Sequence, residues 1–221
     1  MTTMKSPTRH EMDVLVPADL ARLNGILGLP PQASGVVAFA HGTGSGRFSP
    51  RNNFVARVLQ DAGLATLLVD LLEESESFDR DKVFDIDLLT NRLLDCTHWL
   101  RQQPETKGLS LGYFGASTGA AAALRAAAKE REGLAATVSR GGRPDLAMKY
   151  LPRVQSPTLL IVGSEDGPTI PLNEEAYAKL TCPKELVIIP GASHLFEEPG
   201  ALDKVAQLAR NWFIKHFLPQ A

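Results

Sequence analysis

The sequence predicts an α/β fold, a mostly parallel central sheet of about eight strands with helices on both faces, and three observations lead there. Short apolar runs of strand length alternate with amphipathic stretches of helix length from Gly35 to Phe217. Those runs are apolar throughout instead of at every second residue, the pattern of strands buried on both faces. A chain of 221 residues, 44% hydrophobic and 22% charged, suits one domain, residues 1–221, with a substantial core.

Each element follows from local signals. Glu11–Val16 and Arg22–Leu29 read as an antiparallel edge pair stopped by Pro30 and Pro31. Gly35–Ala40 is a buried strand. Ser49 before Pro50 starts a helix that runs to Gly63, with the serine as cap and proline in the first turn. Leu64–Leu72 is the next strand. After the acidic link 73–76, an amphipathic helix is expected over Asp79–Gln103, ended by Pro104. Then follow strand Leu109–Phe114, helix Thr118–Arg131, strand Leu134–Ser139, a short helix over Leu146–Leu151 and strand Thr158–Val162. Helix Leu172–Leu180, strand Glu185–Ile189 and helix Pro199–Phe217 complete the series. Every link between strands holds one ordinary helix, so no large cap domain is expected; the segment Glu73–Asp81 is the candidate for a partial lid.

Twenty-three basic against 25 acidic residues leave a net charge of -2, which offers no electrostatic footprint for nucleic acid. The two cysteines, Cys96 and Cys182, form neither a C-x-x-C pair nor a Cys/His cluster, which argues against a disulfide framework and a zinc site. Met1–His10 lacks an apolar core, and no apolar run reaches the length of a membrane span. A cytoplasmic protein without a membrane association is the expectation.

In open α/β sheets ligands bind beyond the carboxyl ends of the strands, and three loops there carry chemistry. Gly115-Ala116-Ser117-Thr118-Gly119 matches G-x-S-x-G where a strand turns into a helix, so Ser117 is the candidate nucleophile. The competing reading of those five residues is a helix-capping serine. A serine hydroxyl needs a base oriented by a third group. Asp166 and His194 follow the strands Thr158–Val162 and Glu185–Ile189, in the chain order Ser, Asp, His. Glu165 and Asp145 compete with Asp166 for the acid, and His41 competes with His194, although its position before a glycine suits loop shaping. His41-Gly42-Thr43-Gly44-Ser45-Gly46 lies where backbone N–H groups can form an oxyanion hole; Thr43 N–H is the first expected donor and Thr118 N–H the second. As a phosphate cradle the loop fails, because after Gly42 and Gly44 it is Arg47 that stands where G-x-G-x-x-G needs its last glycine.

With these motifs in place the chain resembles the α/β-hydrolase superfamily and, within it, the dienelactone hydrolase-like group from about Val14 onward. The stretches HGTGSGRFSPRN (41–52), SRGGRPDLA (139–147) and GASHLFEEPG (191–200) look like the small hydrolase domain that some bacteria fuse to a phosphoribosyltransferase. The resemblance implies a Ser117–Asp166–His194 triad with Thr43 and Thr118 as the oxyanion hole; no metal or cofactor is required, the missing cap suits a small ester, thioester or lactone, and a phosphoribosyltransferase-like partner or a homo-oligomer is admitted. Dienelactone hydrolases proper carry cysteine where Ser117 stands, so their lactone substrate does not transfer. Arg47, Arg51, Arg140 and Arg143 fall in loops at the same edge and are candidate ligands for an anionic substrate group, or else pair with local acids such as Asp145 and Glu197. A binding module with an idle triad, or an acyltransferase, is the alternative.

Overall fold

The computed structural model of the chain describes residues 10–130 and 133–217. Eight strands form one sheet in the order β1-β2-β4-β3-β5-β6-β7-β8. β1 (His10–Ala18) and β2 (Ala21–Leu29) are an antiparallel hairpin, and β2 is antiparallel to β4 (Leu64–Val69). β3 (Gly35–Ala40), β4, β5 (Ser110–Ala116), β6 (Leu134–Arg140), β7 (Thr158–Gly163) and β8 (Lys184–Ile189) run parallel. The continuous apolar runs have their cause here, since every residue of β3, β4 and β7 is buried.

Helices cover both faces. α1 (Pro50–Asp61) and α6 (Ala201–Phe217) pack on one side, joined in a core with Val37, Phe39, Phe114 and Val138. On the other side lie α3 (Ile86–Gln102), α4 (Thr118–Lys129) and α5 (Ile170–Lys179). The alanines of α4 explain its fit: Ala120–Ala123 are wholly buried, and methyl side chains let the helix lie close to the strands. Arg131, to which this helix was expected to extend, lies outside the described residues. No helix among the described residues is long and apolar enough to cross a membrane.

Two expected helices are corrected. The segment 79–103 is not continuous: α2 (Arg80–Val83) stops, and α3 restarts after Asp85, whose side chain accepts from Leu88 N–H at 2.9 Å. An N-cap aspartate inside an amphipathic run outweighs its periodicity, because it satisfies the free N–H groups of a new helix. The helix expected over 146–151 is two 3-10 turns, Pro144–Ala147 and Leu151–Arg153, each with proline in its first turn. Strand β4 ends at Val69, not Leu72.

The 73–85 segment is a fixed strap. Arg92, on α3, holds Glu76 through two bonds of 2.5 and 2.9 Å, and Lys82 adds a third at 2.9 Å. The Arg92 guanidinium holds the Glu76 carboxyl down at about 2, far below the ordinary carboxylate range. Glu74, Ser77 and Val83 of this segment wall a cavity beside the loop that follows β3.

Candidate active site

The nucleophile loop is shaped by a collision that glycine avoids. A Cβ on Gly119 would strike the carbonyl oxygens of Ala40 and His41, and one on Gly115 would press on the Ala120 backbone. Helix α4 therefore starts in direct contact with the end of β3. Gly119→Ala is expected to destabilise the fold by about 3 kcal/mol, read as a lower urea midpoint at unchanged m-value. An unchanged midpoint would contradict this wedge.

Between these glycines Ser117 adopts φ +52° and ψ -122°, a conformation that non-glycine residues seldom take and that surrounding structure must enforce. Its N–H donates to Arg140 C=O at 3.2 Å, and its own C=O accepts from Arg143 N–H at 3.1 Å. The serine stands at the cap position of α4 yet makes no side-chain capping bond, unlike Ser49, whose side chain accepts from Asn52 N–H. The capping explanation for Ser117 therefore does not describe this site.

Asp166 lies three residues past β7, is 7% exposed, and meets His194 with Oδ2 2.7 Å from Nδ1. Glu165 instead accepts from Ser164 Oγ, and Asp145 is occupied by Arg143. His194 stays partly open to solvent, its side chain 37% exposed. Ser117 Oγ makes no hydrogen bond among the described residues, so the structure joins acid to base but leaves the serine hydroxyl outside that pair. The histidine loop does lie against the end of β6 that receives Ser117 N–H: a Cβ on Gly141, next to Arg140, would stand 3.1 Å from the His194 carbonyl oxygen and 3.5 Å from its Nδ1. Catalytic contacts commonly tighten only once substrate is bound.

His41 has a different task. Its Nε2 accepts from Leu71 N–H at 2.9 Å, which leaves the proton on Nδ1 to bond Gly42 C=O at 3.0 Å. Burial lowers its pKa, so the neutral ring ties the glycine loop to the end of β4. Beside it Gly42 faces the nucleophile; a Cβ there would stand 3.0 Å from Ser117 Cβ.

One of the two expected oxyanion donors is engaged in this structure. Thr43 N–H is not free: it donates to Thr118 Oγ1 at 3.0 Å, and the two threonine hydroxyls are also 3.0 Å apart. The loop and the first turn of α4 lie close enough for that hydroxyl to reach an amide otherwise left without a partner. Thr118 N–H, at the first position of α4, has no helical acceptor available to it.

On the far side of the glycine loop is a cavity of about 580 Å³. Phe48, Leu72, Val83 and Leu89 give it apolar walls, while Asn24 and Glu74 bring polar groups. The arginines do not converge as a set. Arg47 pairs with Asp70, Arg143 grips Asp145 with bonds of 2.9 and 2.8 Å, and Arg51 reaches Glu197 at 3.1 Å. Only Arg140 stands apart from these pairs.

The comparisons agree with this architecture. The dienelactone hydrolase family model matches residues 23–217. The crystal structure of a dienelactone hydrolase from Anabaena variabilis is 56% identical, superposes with a TM-score of 0.92, and covers 94% of this chain and 98% of its own. Est1E from Butyrivibrio proteoclasticus, at 15% identity, shares the fold with a TM-score of 0.76 over 92% of this chain and 98% of its own. Two Mycobacterium tuberculosis proteins provisionally named phosphoribosyl transferases are 53% identical over 210 residues, 95% of this chain. The chain spans about half the length, 47%, of those curated relatives. By sequence and by fold, the chain belongs to the dienelactone hydrolase family of α/β hydrolases.

Proposed function

We propose that this chain is a serine hydrolase that cleaves a small carboxylic ester, thioester or lactone through an acyl-enzyme on Ser117. The observation that carries this reading is the 2.7 Å bond between Asp166 and His194, taken with a serine held at φ +52° on a strand-to-helix elbow. In this reading Ser117 Oγ adds to the carbonyl carbon while His194 Nε2 takes its proton. Asp166 fixes the Nδ1–H tautomer and stabilises the imidazolium that forms. The carbonyl oxygen, now anionic, accepts from Thr118 N–H, and from Thr43 N–H once the Thr118 hydroxyl turns away from it. The protonated His194 returns its proton to the leaving oxygen or sulfur. Water, activated by the same imidazole, then adds to the acyl carbon and releases the acid.

The cavity of about 580 Å³ beside the glycine loop has room for a substituent with an apolar body and a polar end. A fluorophosphonate probe tests the reading, because it reacts only with an activated serine. Labelling at Ser117 that slows at least a hundredfold in His194→Gln is the expected result. Folded protein that refuses the label points to the second reading, a binding module working beside a phosphoribosyltransferase-like partner, which the doubled length of the curated relatives favours.

A further inference from the structure

The unpaired arginine carries more information than the three paired ones. Arg140 ends β6, is 7% exposed, and faces no carboxylate among the described residues. Its one polar contact is long, 3.4 Å from Nη2 to Asn52 Oδ1 on α1, and its Nε has no partner. The Phe196 ring lies 5.9 Å from the guanidinium carbon. Arg51 spans the same gap, from the first turn of α1 to Glu197, and its Nε too is buried without a partner. Two guanidinium groups therefore bridge α1 and the histidine loop, with a single, largely exposed carboxylate between them.

An uncompensated buried guanidinium is strongly unfavourable, and burial together with the neighbouring Arg51 pulls Arg140 down to about 10. The first turn of α1 holds no acidic residue to offset this charge, and the positive end of the helix dipole adds to it. The location adjoins the reacting groups. Arg140 C=O receives the Ser117 N–H, and Gly141 packs on His194.

We propose that Arg140, with Arg51 and the first turn of α1, forms an anion subsite beside Ser117 that binds an acid group, carboxylate or phosphate, of the molecule the enzyme acts on. The inference rests on the serine hydrolase reading for its link to catalysis, but the binding itself can be measured without turnover. Melting curves of the intact protein with added glutarate or inorganic phosphate supply the first readout. At an anion concentration about ten times Kd, the wild type is expected to gain roughly 3–6 °C, Arg140→Gln none, and Arg140→Lys an intermediate amount. The stronger of the two anions identifies the acid group. In the second readout the same anion should inhibit p-nitrophenyl acetate hydrolysis competitively, with a Ki equal to the Kd from melting. An equal gain in Arg140→Gln, no gain with either anion, or a gain without competitive inhibition would each overturn the proposal. If Ser117 is neither labelled nor active while the melting shift depends on Arg140, the hydrolase reading fails and the anion site stands.

Discussion

Ser117→Ala is expected to lower kcat on p-nitrophenyl acetate by about 10⁴- to 10⁶-fold, because the covalent step vanishes and only the polarising donors remain. The protein should stay folded. Ser117 Oγ makes no hydrogen bond among the described residues, so deleting it leaves no buried group without a partner. An alanine side chain keeps the same awkward backbone angles, and the melting temperature should shift by no more than a degree or two. Turnover close to that of the wild type would remove Ser117 from the chemistry and leave the elbow without a catalytic purpose. The residual rate is informative as well. Any part of it that falls further in Asp166→Asn is catalysis by the histidine acting directly on water.

The second large effect concerns stability. Glu76→Gln strands the Arg92 guanidinium, whose side chain is 8% exposed, without a carboxylate, and losing one member of a buried ion pair typically costs about 3–5 kcal/mol. For a domain of this size the melting temperature should fall by roughly 10 °C. The wild type predicts its own pH profile. Glu76 titrates at about 2 in the folded protein and at 4.5 as a free side chain. The unfolded chain therefore takes up the proton first on acidification. Stability from this pair is complete above pH 4.5 and is lost as the pH falls toward 2. In Glu76→Gln that segment of the acid-denaturation curve should flatten. A shift below about 1 kcal/mol would mean the pair is solvated like a surface bridge. Because Glu74 and Val83 of the same strap line the cavity, KM should rise along with the loss of stability.

The sequence was most legible where a residue's role depends on chain position. Strands buried on both faces announce themselves as unbroken apolar runs, and their carboxyl ends point to Ser117, Asp166 and His194 without knowledge of side-chain geometry. The distinction between Asp166 and its rivals Glu165 and Asp145 also follows from distance past a strand end. Less legible were features decided by a partner remote in sequence. Thr43 and Thr118 lie 75 positions apart, and Arg140 and Asn52 are 88 apart. No periodicity reports that one hydroxyl reaches a distant amide or that one guanidinium lacks an acid. The break before α3 did have a local signal. Asp79 and Asp85 each stand where a capping carboxylate belongs, three or fewer residues before the amide it bonds, but the amphipathic spacing of the whole stretch concealed two starts.

The parallel order of the sheet also determines when the site comes into being. Ser117 follows β5 in the middle of the chain, whereas Asp166 and His194, its proposed acid and base, follow β7 and β8, the last two strands of the sheet. Parallel pairing requires a crossover before each new strand can dock, which makes assembly slow and strongly non-local. On the proposed mechanism, a ribosome-bound chain that ends before His194 presents a serine with no partner to take its proton. In that mechanism the serine therefore gains its base only once β8 has docked at the edge of the sheet.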